Sequence, residues 1–354
     1  MSEITRLARP EIRDLNPYRA AHYEDGLVRL NANETPWPPP GDHSATGVNQ
    51  YPEIRPLTLT RRLADLYSVD ASQLLVTRGS SEAIDLLVRC FCRPGADDIV
   101  ICPPTFGMYA MYAQVQGAGI VEVPLRAEDG FDVDVDAITA AWTDRTKLAF
   151  VCSPNNPTGN SFATDSIVAL AKALRGRGIV VVDAAYVEFA ATDPTRELLE
   201  AGDNVVVLRT LSKAFGMAGI RCGAALAAPA VIDMLGSILP PYCYPTPCAD
   251  VALACLAPEN RDDMSARADR IRAERDRVAA RLAALPSIEH IWPSAANFLL
   301  CRATQPPRLI EAAKRGGFLI RDFSWDRHTP GCVRITIGSA EQNDRLLEAL
   351  EDRS

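Results

Sequence analysis

One lysine, Lys213, lies in the stretch "RTLSKAFGMAGIRCG" (residues 209–223), just after the apolar run "NVVVLR". A lysine amine becomes a nucleophile toward an aldehyde when burial or nearby positive charge depresses its pKa from about 10.4. This stretch offers both: the apolar run buries the amine, and Arg221 adds charge. Thr210 and Ser212 bring hydroxyls that can hydrogen-bond an anion beside it.

Three other stretches carry polar groups just after an apolar run. In "LLVTRGSSEAIDLL", Ser80, Ser81 and Glu82 form the first turn of a helix, where free N–H groups and the helix dipole favour an anion. Alone, this is an ordinary serine cap. In "FVCSPNNPTGN", Asn156 stands in a segment longer than a simple turn requires. In "IVVVDAAYVEF", Asp183 ends an apolar strand and Tyr186 follows it. A buried carboxylate is costly without a positive partner or a hydrogen bond; a helix cap explains Asp183 but not Tyr186. An anion cradle, an acid for a ring nitrogen, a phenol and an imine-forming lysine together match pyridoxal 5'-phosphate, whose protonated pyridine accepts electrons from a substrate α-carbon.

The elements that must hold these groups are legible as alternation. The runs "QLLVT", "DDIVICP", "GIVEVPL", "KLAFVCSP", "GIVVVDAAY", "NVVVLRT" and "CGAALA" read as strands, separated by amphipathic stretches such as "SEAIDLLVRCF" and "ATDSIVALAKALRGRG". The pattern predicts an α/β fold with a mostly parallel sheet covered by helices on both faces. Ligands of such sheets settle outside the carboxyl ends of the strands, where all four stretches fall. After the proline-rich break "LPPYCYPTPCAD" come a long charged helix with a solvated face, "ENRDDMSARADRIRAERDRVAARLAAL", then "NFLLCRA", "PPRLIEAAKRGG", "FLIRDF", "CVRITIG" and a closing helix from "SAEQNDRLLEALEDR", a smaller α+β unit. The expected division is an arm over residues 1–35, marked by the prolines of "NETPWPPPGD", a large domain over 36–245 and a small one over 246–354.

A chain of 354 residues can bury a large core without staples, and a net charge of -8 argues against nucleic acid and anionic membranes as partners. The ten cysteines read as reduced, buried thiols, and the scattered His22, His43, His290 and His328 make a metal site improbable. With no apolar leader and no apolar run near about eighteen residues, a cytoplasmic protein is expected.

The chain resembles the fold-type I pyridoxal-phosphate aminotransferases, among them the histidinol-phosphate branch. The resemblance runs from "DLNPYRAA", "RLNANETPWPP" and "NQYPE" through "RGSSEAIDLLVRCF", "CPPTFGMY", "VCSPNNPTGN", "VVVDAAYVEF" and "RTLSKAFGMAGIRCG" to "CVRITIGSAEQN". It implies that Lys213 condenses with the cofactor aldehyde and shuttles the α-proton, that Asp183 holds the pyridine nitrogen, and that Tyr186 and Asn156 bond the cofactor's phenolic oxygen. By the same resemblance Ser80, Ser81 and Glu82, with Thr210, Ser212 and Arg221, surround the phosphate, and Phe106 takes the place of the ring-stacking aromatic. Tyr51 corresponds to a tyrosine that reaches the phosphate in a neighbouring subunit, which implies a homodimer with shared sites. Arg334 corresponds to the arginine that clamps the amino-acid substrate, Arg321 and Tyr18 to positions that recognise a substrate phosphate, and Asn33 to the covering arm.

Two departures stand out: Ala184 replaces the glutamate of the usual "DEAY", and Ser-Ser-Glu replaces Ala-Asp-Glu in the phosphate turn. The implied reaction is reversible amino transfer between L-histidinol phosphate and 2-oxoglutarate, yielding imidazole-acetol phosphate and glutamate. An aromatic or broad-range aminotransferase, a threonine-phosphate decarboxylase and a cofactor-binding regulatory protein remain the alternatives.

Overall fold

The computed structural model describes residues 4–19, 21, 24, 26–44 and 47–351; His22 lies outside them. Seven strands, β1 (Leu74–Thr77), β2 (Asp98–Ile101), β3 (Gly119–Glu122), β4 (Thr146–Cys152), β5 (Ile179–Asp183), β6 (Val205–Thr210) and β7 (Gly223–Ala227), form one sheet in the order β1-β7-β6-β5-β4-β2-β3. β2 through β6 pair in parallel, whereas β7 runs antiparallel to both β1 and β6. Because β7 is reversed, its first residue lies at the sheet edge where its neighbours end. Arg221, just before β7, is thereby delivered to the same edge as Lys213, just after β6.

Period-two alternation buries both faces of this sheet. Val180 and Val182 face one core with Ile167 and Leu170 of the helix Thr164–Ala173; Ile179 and Val181 face the other, with Ile84 and Leu87 of the helix Ser80–Phe91. Each such side chain contributes about 1.5–3 kcal/mol by leaving water. Asp183 continues the parity of Ile179 and Val181, so its carboxylate enters the second core, beside Tyr109 and Phe150.

A second sheet, antiparallel throughout, joins β8 (Ile288–Ile291), β9 (Phe298–Ala303), β10 (Arg321–Asp322) and β11 (Cys332–Thr336) in the order β10-β11-β9-β8. The sequence pattern gives no sign of β8, because this edge strand reads "IEHI" and is only half-buried. The proline-rich break is shorter than expected: a helix, Thr246–Cys255, begins inside it, with proline in its first turn.

The long helix Arg261–Ala283 has the expected solvated face, yet two of its arginines turn inward. Arg272 donates to the Glu188 carbonyl at 3.1 Å, and Arg275 to those of Phe189 at 3.4 Å and Ala296 at 3.1 Å. These arginines strap the helix to the turn that follows β5.

All ten cysteines are free thiols, seven of them buried. Among the described residues no helix is long and apolar enough to cross a membrane, and no group of His, Cys, Asp and Glu is arranged to hold a metal ion.

Arg209, on β6 and only 3% exposed, donates to Asp193 at 2.6 Å, Thr195 at 2.7 Å and Glu188 at 2.8 Å, with its guanidinium 4.5 Å from the Tyr67 ring centre. It thus pins the turn after β5 to β6. Arg209→Ala should lower the unfolding free energy by about 3–5 kcal/mol, since it strands the buried Glu188; guanidinium denaturation would measure the loss.

Candidate active site

A cleft of about 220 Å³ opens at the carboxyl edge of the large sheet, lined by Ser80, Ser81, Phe106, Cys152, Asn156, Asp183, Ala185, Tyr186, Thr210, Ser212, Lys213 and Arg221. All stand at or after a strand's carboxyl end except Arg221, which leads into the reversed β7. Ten of the eleven residues expected to act at one centre from a single chain meet here, and Glu82 does not line the cleft. Its carboxylate accepts from the Arg78 backbone and side chain, each at 2.7 Å, so it braces the turn from behind.

The turn between β1 and its helix is built by backbone. Gly79 has φ +77°, a conformation that a side chain disfavours. A Cβ on Gly223 would fall 2.6 Å from the Gly79 carbonyl carbon and 2.8 Å from the Ser80 nitrogen. The first residue of β7 therefore seats directly against the helix amino terminus, whose N–H groups point toward the cleft. Thr210 lies 2.9 Å from the Ser212 hydroxyl, and Arg221 reaches that hydroxyl at 3.4 Å. Hydroxyls, backbone N–H groups and one guanidinium gather there, a donor set suited to a phosphate.

Asp183 is fully buried. The Tyr109 hydroxyl donates to its Oδ2 at 2.8 Å and the Ala185 N–H to Oδ1 at 3.2 Å. Burial pushes its pKa up to about 6, against the opposing pull of Tyr109, Ala185 and the Lys213 charge. Lys213 shifts the other way: burial, then the positive charges of Arg334 and Arg221, lower its pKa despite Asp183. A larger share of neutral amine, the nucleophilic form, follows. Its Nζ sits 5.4 Å from the centre of the Tyr186 ring.

Arg334, on β11, reaches across from the small sheet and donates to the Asn156 side-chain oxygen. Its guanidinium lies between two rings, 5.1 Å from the centre of Phe298 and 5.4 Å from that of Phe323. Its Nε is buried without a hydrogen-bond partner, an unmet donor beside the cleft. Arg321 pairs with Arg334 in register on β10. Like charges placed opposite each other repel, and an anion between them relieves the repulsion.

Tyr18, Asn33 and Tyr51 stand outside the cleft. Tyr18 and Asn33 are exposed, Asn33 with φ 58°. Tyr51 is half exposed; its ring stacks on Tyr242 at 4.8 Å, and Glu34 accepts from its backbone N–H at 2.7 Å. Ala184 is buried in the core on the face away from Asp183 and does not line the cleft.

Two contributors escape sequence reasoning. Tyr109, in the first turn of the helix Met108–Gln116, meets the Phe106 ring edge-on at 5.7 Å, and its place three residues after Phe106 in "PPTFGMY" is the signal that could have found it. Cys152 gives none, since a buried thiol at a strand end is ordinary core.

The family described as aminotransferase class I and II matches residues 27–350, and the chain belongs to it. It is 43% identical to the histidinol-phosphate aminotransferase of Stenotrophomonas maltophilia (strain R551-3), over 100% of this chain and 98% of that protein. The crystal structure of the histidinol-phosphate aminotransferase from Clostridium acetobutylicum superposes with a TM-score of 0.77 at 21% identity, covering 86% of this chain and 90% of that one. That of the Sinorhizobium meliloti histidinol-phosphate aminotransferase, in complex with pyridoxal-5'-phosphate, gives 0.76 at 24% identity, with 86% and 83% covered. The fold is the α/β architecture of fold-type I aminotransferases, as expected from the alternating strands and helices.

Because Asp183 has a higher pKa folded than unfolded, the native protein binds its proton first as pH falls. The stability this gives is present below about pH 4 and is lost as pH rises through about 6. In the cofactor-free protein, Asp183→Asn should therefore raise the unfolding free energy at neutral pH by about 2–3 kcal/mol and change little below about pH 4. Urea denaturation across that range would show the two curves separating.

Proposed function

We propose that the chain is a histidinol-phosphate aminotransferase, moving an amino group reversibly between L-histidinol phosphate and 2-oxoglutarate with pyridoxal 5'-phosphate as cofactor. The observation that carries this reading is the meeting, at one sheet edge, of a lysine of lowered pKa, a buried carboxylate and a phosphate-type donor set, faced by two opposed arginines. The full-length similarity to the Stenotrophomonas enzyme supports the choice of substrate.

Bound in the cleft, the cofactor supplies a protonated pyridine ring that accepts the electron pair left when a substrate's α-proton departs. The chain's own residues make that possible. Asp183 keeps the proton on the ring nitrogen, and a positive nitrogen restores the ionised form that burial disfavours. Tyr186 and Asn156, which line the cleft, would donate to the phenolic oxygen, and Phe106 would pack against the ring. Ser80, Ser81, Thr210, Ser212 and Arg221 bind the phosphate. Lys213 Nζ would hold the cofactor through its aldehyde and, freed when a substrate amine takes its place there, would be the base that carries the α-proton.

Arg334 binds the carboxylate of glutamate, and Arg321 with Tyr18 binds the phosphate of histidinol phosphate, since a guanidinium fork fits either anion. Two chemically different donors thus share one pocket, and a ping-pong sequence follows.

The active form is a homodimer in which Tyr51 completes the partner's phosphate site and Asn33 belongs to the covering arm. Leu27, Val28, Leu30 and Trp37 support this, being largely exposed on a segment with little regular structure.

With cofactor loaded, L-histidinol phosphate should abolish the visible band and 2-oxoglutarate should restore it; release of carbon dioxide from phosphothreonine would instead favour a decarboxylase. Lys213→Ala should retain the fold yet lose both the borohydride-fixed cofactor and nearly all turnover, and substantial residual activity would remove the lysine from its role. Arg321→Ala should raise KM for L-histidinol phosphate by about tenfold with a smaller effect on glutamate; steady-state kinetics with each donor would tell.

A further inference from the structure

Phe298 opens β9 and is 2% exposed. On the sheet face that carries Arg334, registered with Leu300, Phe298 is a diagonal neighbour on the Thr336 side, and Phe323, just past β10, is the opposite diagonal neighbour on the Cys332 side. The two rings hold the guanidinium between them, at 5.1 and 5.4 Å. The second ring contact of Phe323 is with the exposed Trp325, stacked at 6.4 Å, whereas that of Phe298 is with a residue of the cleft. The Phe298 ring meets that of Tyr186 nearly at right angles, 88°, with centres 5.2 Å apart. It belongs to a small cluster that joins Ala185, Tyr186 and Phe189 of the turn after β5 to Ala268 and Ala296 of the small unit.

We propose that Phe298 is a positioning residue that sets the Tyr186 phenol and the Arg334 clamp in step. The proposal rests on the roles given above to those two residues. A cation over a ring face and a ring at its edge both have strong directional preferences. When an anion draws Arg334 forward, the Phe298 ring must follow or lose the guanidinium, and its edge contact carries the movement to Tyr186. The direct bond from Arg334 to Asn156 acts in parallel, so clamp occupancy reaches both donors to the phenolic oxygen. The Arg334 charge is also felt at Tyr186, opposing the rise in phenol pKa that burial causes.

The test compares Phe298→Leu with Phe323→Leu in the cofactor-loaded protein. Each variant removes one ring from Arg334, so each should raise KM for glutamate by about fivefold. Only Phe298→Leu should also move the pH midpoint of the visible band, by about half a unit, because only it frees the Tyr186 ring. Phe298→Met serves as a second variant should leucine fail to fold.

The proposal is overturned if Phe298→Leu leaves the midpoint where the wild type has it, or if it lowers only the melting temperature. A wild type that forms no visible band with pyridoxal phosphate would overturn the functional reading instead.

Discussion

A carboxylate sealed inside the protein at the end of β5 is the constraint from which the site is built. Asp183 continues the parity of Ile179 and Val181, so the sheet that buries those side chains must also bury a charge. A phenol and a backbone N–H support it, and neither neutralises it. The group therefore holds its proton more tightly than an exposed aspartate. A cationic ring nitrogen is the partner that such a position calls for, and the stability that a buried charge costs the cofactor-free protein becomes affinity for that partner.

Around this point the sheet arranges its other ends. Lys213 comes from the close of β6 and Arg221 from the opening of the reversed β7, so a single antiparallel strand in a parallel sheet brings two basic groups to one edge. Their mutual repulsion, with that of Arg334, helps lower the lysine pKa. The turn after β5 is held from two sides: Arg209 grips its carboxylate from within the sheet, while Arg272 and Arg275 grip its carbonyls from the small unit's long helix. Tyr186 stands on the piece of chain where the two units meet.

The strands of the large sheet were legible because each is a short apolar run, and the cleft residues because they are polar groups placed directly after such runs. Strand β8 was not, since its exposed edge carries Glu289 and His290 rather than a pattern. The straps from Arg272 and Arg275 were hidden for a related reason: on a helix crowded with charges, nothing local marks the two that turn inward. Glu82 is a case of a side chain taking a task its position does not announce. Its place in the first turn suggested the anion site, but a carboxylate there is better matched by Arg78 behind it than by a phosphate in front. Tyr109 and Phe298 act through rings packed between distant segments, and long-range packing has no signature along the chain.

The seam where Gly223 lies against Gly79 and the Ser80 nitrogen involves no side chain at all. A side chain on Gly223 would strike that main chain, and one on Gly79 would strike the Arg221 guanidinium from a backbone conformation that side chains disfavour, whereas the residues at 80 and 81 offer the same backbone N–H groups whatever their side chains. Serines in place of the more usual alanine and aspartate are then a permitted dialect of the same turn, and a lone methyl group on either glycine would do more harm than both of those exchanges together.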